Sequence, residues 1–486
     1  MNRVSVVLSP HVTLAAAVIA VGVLGGCATT SQDSGFGAVE SVAQQRLGKE
    51  LRWIRSGDQG VLDLVVKLLA EPLSVDAAVQ VALLNNRGLQ ATYSELGIAE
   101  ADLVQASRLR NPGFSFTNIR GGDAHEIDLG LSFDFLQLLT LPIASRIEAR
   151  RFEQTKLLVG DEVLRVAGET RKAWFSSVAA AETVRYMEQV KTAAEAGALL
   201  AKQMVSAGNW SKLDQSREQA FFAEATAQFL RAEQGALAER EKLTRLMGLS
   251  GQSLQFTLPQ RLPELPGTRP SLDDVEAFAM AQRLDLQAAK LRTQSLAAAL
   301  GLTKTTRFIN VLEAGPVQLR DAGSPTKNGY QISVELPLFD WGGARVARAE
   351  ALYMQSVNRV AEAAINARSE VRENYSGYLS TYDVAKHYRD DIVPLRKNIS
   401  DELLLRYNGM LVSVFELLAD AREQVTSVNA SIDALKSFWL AETELEIALG
   451  GRLAPSVAPT GVSPTPPAAD PPARDSHQHH KQGSQP

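Results

Sequence analysis

The chain states one unusual arrangement twice. A short stretch alternates apolar and polar residues, meets a proline, and runs into a helical pattern far longer than a globular core needs. The first copy is Ile127, Leu129, Leu131, Phe133 and Phe135, followed by Pro142. The second is Tyr330, Ile332, Val334 and Leu336, followed by Pro337. Alternation of period two marks a strand with one apolar and one polar face. Such strands feeding very long helices point to a tube that passes through a membrane and continues into water.

At 486 residues the chain has room for about three ordinary domains. The repeat argues instead for one elongated body of two halves. A net charge of −5 gives no ground for a nucleic-acid partner. Beyond the N-terminus no stretch approaches the ~20 apolar residues of a spanning helix. Residues 1–26 read as a targeting segment: Arg3 supplies positive charge, and Leu14 to Leu24 is an apolar run too short to span. The run ends Leu24-Gly25-Gly26-Cys27, which resembles a bacterial lipobox, so Cys27 is the expected lipidation site. Cys27 is the only cysteine. Ala28 in place of an aspartate favours the outer membrane, by resemblance to known lipoprotein sorting. With its thiol acylated the chain has none left for a disulfide, and packing must supply its stability.

Residues 27–74 form an N-terminal tether and docking segment, polar at first, with an apolar run from Val61 to Leu69. The first half spans 75–250. Ser74-Val75-Asp76 opens a helix, a second runs from Leu89 to Arg108, a β-hairpin covers about 114–136, and a coiled-coil hairpin about 143–247. The hairpin's polar face is Asp128, Gly130, Ser132 and Asp134. Gly208 breaks the long helix and Gly248 ends its return. A proline-rich crossover occupies 251–270. The second half, 271–451, repeats the plan: Ser271-Leu272-Asp273-Asp274 caps a helix and Arg283-Leu284-Asp285-Leu286 opens another. A β-hairpin follows at about 308–336 and a coiled-coil hairpin at about 343–449, bent near Pro394 and broken at Gly409. Gly248 and Gly450 lie 202 residues apart, and Gly208 and Gly409 lie 201 apart, the arithmetic of a duplication. Residues 452–486, rich in proline and histidine, have the composition of a segment without a packed core.

Glu335-Leu336-Pro337-Leu338-Phe339-Asp340-Trp341-Gly342-Gly343-Ala344-Arg345 resembles the strand-to-helix corner of the TolC-like outer-membrane efflux protein family. Arg406-Tyr407-Asn408-Gly409 resembles its hairpin tip, and Leu449-Gly450-Gly451 its terminal helix end. The first-half corner, Leu136 to Ser145, lacks the Phe-Asp-x-Gly-Gly form, and Arg283-Leu284-Asp285-Leu286 differs by one residue from the usual Arg-Pro-Asp-Leu. The resemblance implies a mainly α fold with a membrane β part. Long antiparallel helical hairpins would form a trimeric α-barrel, and two β-hairpins per chain would enter a shared 12-stranded barrel. It implies a homotrimer in outer-membrane lipid, meeting a periplasmic adaptor (membrane fusion) protein and an inner-membrane pump. Physical chemistry points the same way. In lipid every backbone group must be paired, so a sheet must close on itself, and four strands are too few to enclose water.

No enzyme constellation and no cofactor motif is present. The candidate residues lie at the tips, in the lumen and in the tail. Gly208, Asn209, Trp210, Arg406, Tyr407 and Gly409 are candidates for docking the adaptor at the tip. Asp214, Glu416 and Asp420, just past the tips, are candidates for a periplasmic aperture, where threefold symmetry would gather like charges. Asp128, Asp134 and Glu335 are expected to face the lumen, and Phe339 and Trp341 to lie at the membrane interface. His477, His479 and His480 are a weak metal-binding tract that leans the substrate toward metal cations, with small toxic compounds as the other class. The function expected is a passive exit duct of a tripartite efflux system. The alternatives are the outer-membrane component of type I protein secretion, or a lipid-anchored periplasmic adaptor without a pore.

Overall fold

The computed structural model describes residues 29–54, 59–122, 124–250, 255–267 and 274–451. The leader, Cys27, Ser271, Leu272, Asp273 and the tail histidines His477, His479 and His480 lie outside the described residues.

The N-terminal segment is docked on the body. Helix α1 (Phe36–Leu47) buries Val39 and Ala43, and Phe36 packs edge-on against Tyr93 at 5.0 Å. Helix α2 (Gln59–Leu69) buries Val61, Val65 and Leu69, as its apolar run predicts. Helix α3 (Val75–Asn85) starts where Ser74 Oγ accepts the Ala77 N–H at 3.1 Å, a conventional N-cap. Helix α4 (Arg87–Ala106) is capped by Asn86 in the same way.

Strands β1 (Gly113–Gly121), β2 (Ala124–Asp134), β3 (Leu312–Asp321) and β4 (Lys327–Val334) form one antiparallel sheet in the order β1-β2-β3-β4. The hairpins of the two halves therefore lie side by side, β2 against β3. The described sheet is open, with β1 and β4 as its edges.

Helix α5 (Phe135–Ser206) has 72 residues, about 108 Å at 1.5 Å per residue. It starts eight residues before the expected boundary. Phe135 is its first residue, not the last of the strand, and Pro142 is inside it. The cause is Asp134, whose carboxylate accepts the Gln137 N–H at 2.8 Å and caps the helix directly off the strand. Helix α6 (Lys212–Leu246) returns beside it.

Residues 255–267 cross between the halves as a strap held by side chains from several helices. Arg240 donates to Phe256 O (2.7 Å), Arg185 to Gln260 O and Trp439 Nε1 to Pro263 O (3.1 Å). Arg389 donates to Leu265 O (3.3 Å) and the Tyr382 hydroxyl to Pro266 O (3.0 Å).

Helices α7 (Val275–Gln282) and α8 (Leu284–Thr306) precede β3. Asp274 does not cap α7 through its side chain; its φ is 52°. After β4 an irregular corner leads to α9 (Gly343–His387), a π-helical turn (Tyr388–Ile392) and α10 (Val393–Asn408). The turn ends two residues before Pro394, which has no N–H to donate and whose ring crowds the preceding turn. Helix α11 (Val414–Ala448) completes the second hairpin.

The two return helices match in length and in position. Each has 35 residues, and an offset of 202 residues carries Lys212 to Val414 and Leu246 to Ala448. The same offset carries Gly208 to Met410, not to Gly409. Met410 takes the left-handed φ of 57° that Gly208 takes at 78°, while Gly409 stays at −81°.

The largest core cluster lies at the waist, where α5 from Val159 to Ala179 packs against α1, α3, α4 and the end of α6. A second joins Tyr378, Tyr382 and Phe438 across α9 and α11. Burial fades toward the tips: α10 has no buried residue. No described helix is long and apolar enough to cross a membrane.

Candidate functional site

Register assigns each strand residue to a face. Phe114 pairs with Leu131 and Phe116 with Leu129, and in β3 and β4 Pro316 pairs with Tyr330 and Ala314 with Ile332. With Phe133 these form one apolar face. Much of it is exposed: Phe114 at 69%, Phe116 at 58%, Tyr330 at 81% and Ile332 at 60%. From Ile127 to Phe133 the band is about 20 Å tall. Toward the β1–β2 and β3–β4 turns the same face becomes polar, through Asn118, Gln318, Arg320 and Asn328.

The opposite face carries Glu126, Asp128, Asp134, Glu313 and Asp321 with Lys327 as its single cation. Lys327 pairs with Asp321 at 2.8 Å. Asp128 Oδ1 is shielded and has no partner among the described residues. Ile119, Val317 and Leu319 are apolar exceptions on this face. Asp128 and Asp134 thus share the face expected of them, although Asp134 also caps α5 and lies 3.7 Å from Arg110. Glu335 lies one residue past the end of β4, its N–H donating to Val311 O at 3.4 Å and its exposed carboxylate accepting from Asn310 at 3.2 Å. Sequence reasoning missed Glu126, Glu313 and Asp321. The period-two count from Asp128 reaches Glu126, and the others need the β2–β3 register.

At the tip the expected acids separate into three kinds. Asp214 belongs to a capping box: it accepts the Ser211 N–H at 3.3 Å, while Ser211 Oγ accepts the Asp214 N–H at 3.2 Å. Asp420 is buried between α10 and α11 and accepts from the Ser400 hydroxyl. Glu416 presents an exposed carboxylate at the first turn of α11, its own N–H directed at Ser413 Oγ. Gly208 and Asn209 are exposed in the first turn, and Arg406 is paired with Glu402 at 2.9 Å. Trp210 stacks on Phe415 at 4.9 Å and so ties the first tip to the second hairpin. Further in, Glu218, almost fully buried, holds Arg422 at 2.9 Å between the same hairpins. Beside Tyr407 and Gly409, the sequence reading passed over Met410 (93% exposed) and Leu411 (78%), the most exposed apolar pair at the tip.

At the waist, outside the sheet, two carboxyls are displaced upward. Burial pushes Glu442 to about 7, helped by Glu446 and opposed by Arg171. Burial pushes Asp161 to about 6, with Asp285 adding to it and Arg283 opposing. Among the described residues no group of histidine, cysteine and acidic side chains is arranged to hold a metal.

No family model and no curated protein matches the chain by sequence. Solved structures do match it. The CmeC outer membrane channel of Campylobacter jejuni aligns with a TM-score of 0.65 at 15% identity, over 78% of this chain and 85% of that one. The open state of the MtrE outer membrane channel of Neisseria gonorrhoeae gives 0.64 at 16%, over 78% and 89%. The outer membrane protein VceC of Vibrio cholerae gives 0.61 at 15%, over 82% and 98%. The chain has the fold of these outer-membrane proteins. Between 85% and 98% of each of these chains is matched.

Proposed function

We propose that this chain is a TolC-like outer-membrane factor: one protomer of a homotrimeric channel that serves as the passive exit duct of a tripartite efflux system. One observation carries the reading. The sheet exposes a continuous apolar face, has an acid-rich opposite face, and leaves two edge strands to be paired. In lipid those edges must be paired, and three copies joined β4 to β1 supply twelve strands around water. The constant 202-residue offset of the return helices supports a duplication as the origin of the two halves. A lipid anchor at Cys27 would hold the same assembly at the outer membrane. The exposed tip, with Met410, Leu411, Tyr407 and Glu416, is the end offered to a periplasmic adaptor, and an inner-membrane pump would supply the energy. The protein acts as a channel and not as an enzyme. The five acids facing one lysine on the inner wall favour cations in transit.

The test is reconstitution of the purified protein in planar bilayers, with trimer migration followed on unheated gels. Stable trimers with cation-preferring single-channel currents are expected. A monomer that carries no current would leave the adaptor alternative standing and remove this one.

A further inference from the structure

Below the apolar face of the sheet, the two strand-to-helix passages share a composition. Residues 107–111, 135–146, 307–311 and 335–348 contain six arginines, no lysine and two acids, in a chain whose net charge is −5. The arginines are Arg108, Arg110, Arg146, Arg307, Arg345 and Arg348, and all six are exposed. Arg110 sits nearest the sheet, its N–H donating to Gln137 Oε1 at 2.8 Å and its guanidinium 3.7 Å from Asp134. Ser107 Oγ meets Ser145 Oγ at 2.7 Å, which brings Arg108 to the level of Arg146. Arg345 donates to Arg307 O at 3.0 Å, which does the same for the second half. Of these two acids, Glu335 accepts from Asn310 and Asp340 from the Gly342 N–H; Asp134, one residue outside the segments, lies 3.7 Å from Arg110.

Exposed apolar side chains separate Arg146, Arg345 and Arg348 from the strands along the chain. They include Leu139 (70%) and Ile143 (38%) in the first passage, and Leu338 (70%), Phe339 (99%) and Trp341 (62%) in the second. They extend the apolar band of the sheet, which alone falls short of the ~25 Å of a bilayer-spanning barrel. Arginine follows in both passages, Arg146 after Ile143 and Arg345 after Trp341. Aromatic rings at the headgroup level with long cations reaching past them fit a membrane boundary. Guanidinium groups bind phosphate oxygens through two parallel N–H donors, which an ammonium cannot do.

We infer that this arginine collar binds the phosphate groups of anionic phospholipids in the membrane leaflet nearest the helical barrel. The inference rests on the membrane insertion proposed above. Charge complementarity and continuity with the apolar face select lipid as the occupant. The collar fixes the depth of the barrel and slows its tilting in the bilayer.

The test reconstitutes the full-length trimer in phosphatidylcholine vesicles and in vesicles with about a quarter phosphatidylglycerol. It reads conductance, and it reads the lipids retained on the protein by native mass spectrometry. Wild type should conduct in both and retain phosphatidylglycerol over phosphatidylcholine about tenfold. Arg345→Gln with Arg348→Gln should keep the conductance and lose the preference. Arg146→Gln with Arg348→Gln, which removes no hydrogen bond described above, should lose it in part, so a folding defect in the first pair does not decide the matter. Lysine at positions 345 and 348 should restore less than half of it. Conduction without lipid preference in wild type, or an undiminished preference in the glutamine variants, overturns the collar and leaves the channel intact. If those variants instead shed a co-purifying protein while lipid retention stays the same, the collar is a protein-docking face and the proposal fails. Failure of wild type to insert or conduct in either lipid removes the channel reading and the collar together.

Discussion

The two halves make the same passage from strand to helix in different ways. In the first, β2 ends at Asp134 and α5 begins at the next residue, with a single carboxylate as the whole corner. In the second, β4 ends at Val334 and α9 begins at Gly343, after eight irregular residues. There Gly342 adopts φ 74°, and a Cβ would lie 2.6 Å from the Arg307 carbonyl oxygen. One solution depends on a hydrogen bond and the other on the absence of a side chain. Similar hairpins can therefore be built on corners with different tolerances.

The sharpest way to break that contrast is to challenge each corner. Gly342→Ala combines a left-handed backbone with a backbone clash and should cost about 3 kcal/mol. Asp134→Ala removes a cap and should cost about 1 kcal/mol. Urea unfolding of the detergent-solubilised protein measures both, and equal losses would erase the distinction.

The waist offers a second comparison, between Asp161 of α5 and Glu442 of α11. Both carboxyls titrate higher in the folded protein than in the unfolded chain, so the native state binds the extra proton. Their contribution is favourable at low pH and is lost as pH rises from the unfolded value through the folded one. For Glu442 that window runs from 4.5 to about 7, and for Asp161 from 3.8 to about 6. Glu442→Gln should raise stability at pH 8 by about 2 kcal/mol, allowing for partial solvent contact, and flatten the profile between those limits. Asp161→Asn should do less, because Arg283 and Arg46 already favour its charge. Unfolding midpoints across pH 4 to 8 distinguish them.

The smallest effects are expected at the tips, and they should differ in sign. Gly208→Ala places a side chain at φ 78° and should cost about 1 kcal/mol. Met410→Gly relieves the same conformation at φ 57° and should gain up to about 1 kcal/mol. Thermal unfolding of the pair is the check; a loss at both positions would show that Met410 is held by contacts and not by its backbone.

Much of this architecture was legible because period-two alternation and long helical runs are local signals. Ile127 to Phe133 declared a strand, Ser74 a helix start, and the glycines near 208 and 248 a hairpin. What the sequence concealed was set by neighbours. Asp134 looked like one more polar strand residue, and its capping role appears only once Gln137 turns toward it. Glu335 continues the alternation of β4 and its N–H still reaches Val311 O, but its side chain is engaged by Asn310 at the corner, which parity does not announce. Gly409 attracted the break because glycine favours left-handed backbone, while the hydrogen bonds from Met410 N–H to Tyr407 O and from Leu411 N–H to Arg406 O put that conformation on Met410. Of the site, the acids on the strands were readable from parity. The Trp210–Phe415 stack and the Glu218–Arg422 pair join residues about two hundred positions apart, and no local pattern announces them.

The strap from 255 to 267 is gripped through its carbonyl oxygens by Arg185, Arg240, Tyr382, Arg389 and Trp439. Every amino acid presents a carbonyl, so apart from the buried Phe256, Leu262 and Leu265 the wording of this segment is free to drift while its route stays fixed. A substitution at one of its exposed positions leaves the oxygens where they were. Inserting one residue moves all those beyond it out of reach, so a chain that tolerates many spellings here should tolerate almost no change in length.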